Sequence, residues 1–152
     1  VRGVPTRRRP ARVIVSRGAG LSTDRRLILT AREERTIVLC DADPRAEGTL
    51  ELERAGVVLA REPASGDAGW LRRGLIRLRA DHGVNTLMVE GGGKLLASLM
   101  AEALVNEVHV HAATTAAGGD GVVAPPMDDE SVWRVVSMRR VSDDVQTVYR
   151  RR

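Results

Sequence analysis

The chain has 152 residues, 43% of them hydrophobic and 29% charged, with a formal net charge of +4. That size and balance describe one globular domain and exclude a disordered or low-complexity chain. A single cysteine, Cys40, excludes an internal disulfide framework; no apolar run reaches the roughly 20 residues of a membrane span, no signal-peptide pattern opens the chain, and the expected address is the cytoplasm.

Val1 to Pro10 reads as an irregular, basic lead-in. Arg12 to Ser16 is a short β-branched run and a predicted strand, broken by Arg17-Gly18-Ala19-Gly20. Thr36 to Cys40 is a second predicted strand. Asp43-Pro44 has the pattern of an N-cap and first-turn proline for a helix to Ala55, with Gly56 beyond its end; Gly48 weakens the middle, so Thr49 is an alternative start. Val57 to Ala60 is a third predicted strand. From about Ala68, Trp70, Leu71, Leu75 and Leu78 recur at helical spacing, with Asp67 placed to cap the start and Gly83 to end the helix.

Asn85 to Glu90 is almost unbroken apolar sequence, the pattern of a central strand covered on both faces. It runs into Gly91-Gly92-Gly93 and a predicted helix from Lys94 to about Ala103, with Leu95, Leu96, Leu99 and Met100 as its buried stripe. Glu107 to Ala113 is a further strand, followed by a long loop from Thr114 to Pro126. Asp128-Asp129-Glu130 reads as a surface loop. Trp133 to Val141 and Val145 to Arg150 make a closing antiparallel hairpin around Ser142-Asp143-Asp144. Strands alternating with helices and then a hairpin indicate an α/β fold with an antiparallel edge. No internal repeat and no second domain is visible.

The segment that bears chemistry is Leu87 to Leu96: a strand, a glycine turn and a helix start. A helix N-terminus offers unpaired N–H groups and a partial positive charge, and glycines let a phosphate approach the backbone. Lys94, the only lysine, adds a cation. The plain alternative is a tight turn with no ligand, although three successive glycines cost backbone entropy. The turn is neither a Walker A loop, since Leu95 follows the lysine, nor a dinucleotide fingerprint, since Leu96 stands where the third glycine belongs. Glu90, a carboxylate ending an apolar strand, either points into a ligand crevice or accepts backbone N–H groups of a neighbouring loop.

Gly83-Val84-Asn85-Thr86-Leu87-Met88-Val89-Glu90-Gly91-Gly92, then Leu95 to Leu99, then Ala103-Leu104-Val105-Asn106-Glu107-Val108, then Gly118-Gly119, occur in order. This series resembles the reductase domain of the bifunctional riboflavin-biosynthesis deaminase-reductase, which shows V-E-G-G-P-T-L, a helix, L-V-D-E and a G-G loop. Upstream, and more loosely, Arg12 to Ser16 resembles the family strand that follows its R-P-x-R-V segment. The resemblance implies a dihydrofolate-reductase-like mixed sheet flanked by helices and ending in an antiparallel hairpin. It implies a single reductase-like domain over residues 1–152 that lacks the family's N-terminal strand and helix. It implies NADPH as cofactor and a phosphorylated pyrimidine as substrate, the ribosyl group of 5-amino-6-(5-phosphoribosylamino)uracil being reduced to ribityl.

Residue by residue, the resemblance puts Glu90 on substrate and Arg2, the end of an L-T-V-R motif, on substrate phosphate. It puts the cofactor on Gly91, Gly92, Gly93, Lys94, Leu95, Leu96, Ala97 and Ser98. Gly91-Gly92 matches the glycine pair that carries a cis peptide in this fold. Arg17 falls where the family has a cofactor-contacting serine, and an arginine there suits a 2′-phosphate. It also implies a homodimer, with the apolar last strands available for pairing.

Departures are visible. Gly93-Lys94 replaces Pro-Thr, Asn106 replaces the Asp of L-V-D-E, and Thr114-Thr115-Ala116-Ala117 replaces P-K-L-L. No H-x-E or P-C-x-x-C zinc signature occurs. These changes motivate a second reading, a catalytically weak or inactive nucleotide-binding relative of that domain. Arg7-Arg8-Arg9 and Arg150-Arg151-Arg152 raise nucleic-acid binding as a third, but solvated termini explain them better, and three aromatics make a poor base-stacking surface. Neither a nucleic-acid nor a membrane partner is expected. His109 and His111 lie two apart on a strand with no convincing third ligand, so no metal site is expected. His82 is placed to cap its helix.

Overall fold

The computed structural model of the chain describes residues 9–63, 69–115, 118–119, 121 and 127–152. It divides into two compact units, Val1–Leu87 and Met88–Arg152. Arg2 and Asp67, with parts of the Thr114–Pro126 loop, lie outside the described residues.

The first unit is built on a parallel sheet of order β1-β2-β3, with β1 at Arg12–Val15, β2 at Thr36–Cys40 and β3 at Val58–Arg61. Parallel neighbours need crossovers, here supplied by α1 (Arg26–Leu29) and α2 (Glu47–Arg54). β2 lies in the middle with every residue from Thr36 to Cys40 at 0% exposure, as an unbroken apolar run predicts. Ile28 of α1, Leu52 of α2 and Val57 pack with Val38 and Cys40 into one cluster. Burial pushes the Cys40 thiol above its ordinary range.

α3 (Trp70–His82) buries Trp70, Leu71, Gly74 and Leu78. Gly74 matters because a Cβ there would sit 2.6 Å from Leu39 Cδ2, so the helix rides directly on the central strand. Gly83 ends α3 at φ 70°, its N–H bonded to Arg79 O and that of Val84 to Leu78 O, the predicted C-terminal glycine motif. The His82 carbonyl is capped by Arg35 Nη1 at 2.9 Å.

The second unit holds α4 (Gly93–Ala101) and an antiparallel sheet of order β4-β6-β5, with β4 at Glu107–Ala112, β5 at Trp133–Val141 and β6 at Asp144–Arg151. The predicted hairpin closes at Ser142, φ 56°. β6 lies between its partners and buries Gln146, Thr147 and Val148. Trp133 is buried, with the Arg151 guanidinium 5.1 Å from its ring centroid. The whole is α/β, with a parallel sheet, helices and a closing antiparallel hairpin.

Four sequence expectations are corrected. Asn85 to Glu90 does not form a strand: it carries no regular secondary structure and all six residues are exposed. An apolar run becomes a central strand only when two neighbours take its backbone groups, and none of the described ladders includes it. The helix expected from Pro44 or Thr49 starts at Glu47 instead, because the Asp43 carboxylate accepts the Arg45 N–H at 2.8 Å in a separate turn ahead of it. α4 stops at Ala101 rather than Ala103, where a φ of 56° ends the helical path. The Gly91–Gly92 peptide is trans; a non-proline cis bond is costly and is held only by a surrounding that enforces it, and these glycines are exposed.

Candidate functional site

The glycine turn leads into the N-terminus of α4 as predicted. Gly92 is the N-cap in extended conformation (φ −64°, ψ 160°), with no side-chain cap and no acid in the first turn. Leu95 N–H and Leu96 N–H both donate to Gly92 O, at 3.1 and 3.3 Å. The first-turn amides ahead of them, at Gly93 and Lys94, have no acceptor within the helix. Ser98 Oγ is committed to Lys94 O at 3.0 Å. Ala97 is exposed in the next turn, and Leu95 and Leu96 are half-buried by their side chains. The eight predicted cofactor residues are contiguous, and the uncapped helix end falls at Gly92, Gly93 and Lys94.

A Cβ on Gly91 would come 3.1 Å from Leu95 Cδ2, whereas one on Gly92 would meet nothing within 4 Å. A side chain at Gly91 would crowd Leu95, which would have to give by a few tenths of an ångström, whereas Gly92 leaves an open approach to the helix end. Uncapped amides, a flanking lysine, no acid in the first helical turn and open space above the backbone fit the phosphates of a dinucleotide. Glu90 precedes this turn, exposed, with no hydrogen bond or ion pair among the described residues.

Arg17 belongs to the first unit, just past the carboxyl end of β1. Its guanidinium lies over the Trp70 ring, 5.2 Å from the centroid. Trp70 is 2% exposed, its indole N–H donating to Glu62 O at 2.8 Å. The buried Glu62 carboxylate takes Arg73 Nε at 2.8 Å and Arg77 Nε at 3.2 Å. The Arg73 bond, more than the Arg77 bond, holds its pKa below the ordinary carboxylate range against the opposing effect of burial. The sequence reading places Trp70 on a helical stripe and misses this cluster. The signal available was Glu62 itself, an acid two residues past the apolar run Val57–Ala60. An apolar recess of about 240 Å³ lies beyond β1, lined by Ile14, Gly20, Leu21, Ser22, Arg25, Leu27 and Ile28.

His109 and His111 share one face of the antiparallel sheet within a local network. Gln146 Nε2 is 2.9 Å from His111 Nε2 and 3.5 Å from His109 Nδ1, and Gln146 Oε1 accepts Arg139 Nε at 2.6 Å. Glu107 bonds His109 at 2.7 Å and Arg150 Nη2 at 2.7 Å, and the two, His109 first, hold its pKa below the ordinary range. Among the described residues no group of three His, Cys, Asp or Glu is placed to hold a metal ion, and no helix is long and apolar enough to cross a membrane.

Solved structures share this fold. RibD of Acinetobacter baumannii superposes with a TM-score of 0.69 at 17% identity, over 94% of this chain and 38% of that one. The riboflavin biosynthesis reductase of Saccharomyces cerevisiae gives 0.69 at 18% identity, over 94% and 70% of the two chains. The Thermotoga maritima diaminohydroxyphosphoribosylaminopyrimidine deaminase/5-amino-6-(5-phosphoribosylamino)uracil reductase gives 0.65 at 21% identity, over 95% and 38%. The chain thus spans well under half the length of the two bacterial proteins. No curated protein matches it. The family model of the RibD C-terminal domain matches residues 1–147, nearly the whole sequence, and the chain belongs to that family.

Proposed function

We propose that the chain is an NADPH-dependent reductase of riboflavin biosynthesis, acting on the ribosyl group of 5-amino-6-(5-phosphoribosylamino)uracil to give the ribityl product. The observation that carries this is the family match over residues 1–147, within which Glu90-Gly91-Gly92 falls at the open N-terminus of α4. NADPH supplies the hydride when bound. The amides of Gly92, Gly93 and Lys94, with the Lys94 ammonium, bind its phosphates; Gly91 sets the turn, and Leu95 to Ser98 form the helix that holds those amides in line. Arg17 binds the cofactor's adenosine end. Glu90 and Arg2 position the substrate, Arg2 through its phosphate. No general acid is evident among these residues, so the rate comes from holding the two reactants in contact. A single reductase-like domain, assembled as a cytoplasmic homodimer, belongs to the same reading.

The test is NADPH oxidation with the pyrimidine substrate. Turnover that falls at least tenfold in Glu90→Gln, and an NADPH affinity that falls at least tenfold in Gly92→Val, are expected. Full activity in Glu90→Gln sinks the substrate role. A catalytically weak relative is the second reading, motivated by Gly93-Lys94 in place of Pro-Thr. NADPH binding without turnover by the native chain decides for it.

A further inference from the structure

We infer that His109, His111 and Gln146 form a site for a zinc-type divalent ion, which clasps β4 to β6 on the polar face of the antiparallel sheet. None of these residues belongs to the reductase reading, which the site neither needs nor tests.

Glu107, His109 and His111 alternate along β4 and so share one face. β6 places Gln146 opposite His111, and β5 places Arg139 opposite Gln146. Donor and acceptor roles follow from the partners. Arginine has no acceptor, so the atom that receives Arg139 Nε at 2.6 Å is the Gln146 oxygen. The amide nitrogen therefore faces the histidines, 2.9 Å from His111 Nε2 and 3.5 Å from His109 Nδ1. It is a donor only, so both ring nitrogens turn lone pairs toward it. Two imidazole lone pairs from one strand thus converge on one point. The sequence shows the two histidines; the third group comes from β6, 35 residues beyond His111. His109 is also supported from behind. A carboxylate only accepts, so His109 Nε2 carries the proton in its 2.7 Å bond to Glu107 Oε1. Glu107 Oε2 is held in turn by Arg150 Nε at 3.0 Å and Nη2 at 2.7 Å. An imidazole whose outer nitrogen donates to a fixed carboxylate has its tautomer and ring direction set for a metal ion.

A carboxamide presents oxygen or nitrogen at nearly the same position after a half-turn about its last bond. Turned over, Gln146 offers Oε1 as the third ligand, and water completes the shell. The cost is the Arg139 bond, and Arg139 is exposed and free to swing into solvent. By register the face carries Arg134, Arg139 and Arg150 with the acids Glu107 and Asp144. That excess of positive charge repels magnesium and calcium, which are held by charged oxygens, whereas imidazole binds zinc, nickel and copper without ligand charge. Glu107 is a positioning residue; His109, His111 and Gln146 are the contacts.

The test titrates zinc chloride and, separately, magnesium chloride into the native chain by calorimetry, with the imidazole signals followed by NMR. Saturable one-to-one zinc binding is expected, moving the His109 and His111 signals and leaving His82, the third histidine, in place. Zinc should also raise the urea midpoint of the native chain and not that of His111→Ala. His109→Ala and His111→Ala should each weaken zinc binding at least tenfold, and Glu107→Gln about tenfold, the size of a lost ligand support. Two variants should act in the opposite direction, which damage to the fold would not produce. Gln146→Glu supplies a charged oxygen without the half-turn and should tighten zinc binding about tenfold. Arg139→Met removes the donor that holds the Gln146 oxygen away, and a nearby cation, and should tighten it severalfold. Any one of four results overturns the site: no saturable zinc binding, magnesium binding as tightly as zinc, full zinc affinity in either histidine variant, or weaker binding in Arg139→Met. If the histidine variants fail to fold, the native imidazole signals and the Arg139→Met titration decide alone.

Discussion

Thr36–Cys40 and Thr86–Glu90 are alike in sequence, each a threonine followed by three apolar residues, and the structure treats them oppositely. The first is the middle strand of a parallel sheet, laddered on both sides and fully buried. The second has no ladder, and Leu87, Met88 and Val89 are 38%, 79% and 37% exposed. Composition specifies that a segment is fit for burial. Which strands flank it is decided elsewhere in the chain, and the pattern of the run itself carries no record of them.

The largest expected effect tests this contrast directly. Leu39→Ala empties a fully buried site and should destabilise by about 3 kcal/mol, within the usual range for buried leucines. Val89→Ala should change stability by less than about 0.5 kcal/mol, as exposed positions do. Urea denaturation measures both, and equal losses would break the comparison.

Next come the two glutamates that lie close after apolar runs. Glu62 is buried and bridges two arginines; Glu90 is exposed without a described partner. Glu62→Gln should cost about 1–2 kcal/mol, less than a fully buried charge-assisted pair because both arginines are partly solvated. Glu90→Gln should leave stability unchanged while lowering turnover. The acid limb carries the sign. The folded Glu62 carboxyl titrates below its ordinary 4.5, so the unfolded chain binds more protons in that range. Its contribution is full above about pH 4.5 and is lost as pH falls through the folded value. A stability–pH curve of Glu62→Gln should be flatter there, and an unchanged curve would remove the bridge from the energetics.

Two glycines sharpen the contrast at smaller magnitude. At Gly74 a methyl would press on Leu39 inside the core, and at Gly92 it would meet nothing within 4 Å. Gly74→Ala should therefore destabilise by about 1 kcal/mol net, overpacking exceeding the gain in helix propensity. Adding Leu39→Ala should reverse that sign, since the clash is with Leu39 itself. Gly92→Ala should cost no stability, and any loss it shows should be in NADPH binding.

These pairs also show what sequence reading reaches. Local chemistry was legible: β2 and β5 fall where the apolar patterns put them, Gly56 and Gly83 take the positive φ that a helix end needs, and the glycine turn leads into α4. What failed needed a partner. Asp43 accepts the Arg45 N–H in a separate turn, and α2 starts later, at Glu47. The Arg17–Trp70–Glu62 cluster joins residues from the ends of a strand, a helix and another strand, and no period in the sequence links them. Three of the proposed site's features, the glycine turn, Glu90 and Lys94, were readable because they are adjacent; the Arg17–Trp70–Glu62 cluster was not, because it is assembled.

The smallest expected effect is the most demanding test of the contrast. Met88 is the most exposed of the apolar residues in its run. A lysine there adds charge without removing a buried contact, so Met88→Lys should shift stability by less than about 0.5 kcal/mol. The same change at Val38, which is fully buried, would place an unpaired ammonium in the core and should unfold the first unit. If Met88→Lys instead costs more than about 2 kcal/mol, the run is covered in solution, and its apolar sequence has found the strand neighbours that the described ladders lack. Measuring that loss at several protein concentrations then separates the two sources of cover. A concentration-independent loss means neighbours within one chain, and a loss that grows on concentration means neighbours from a second copy.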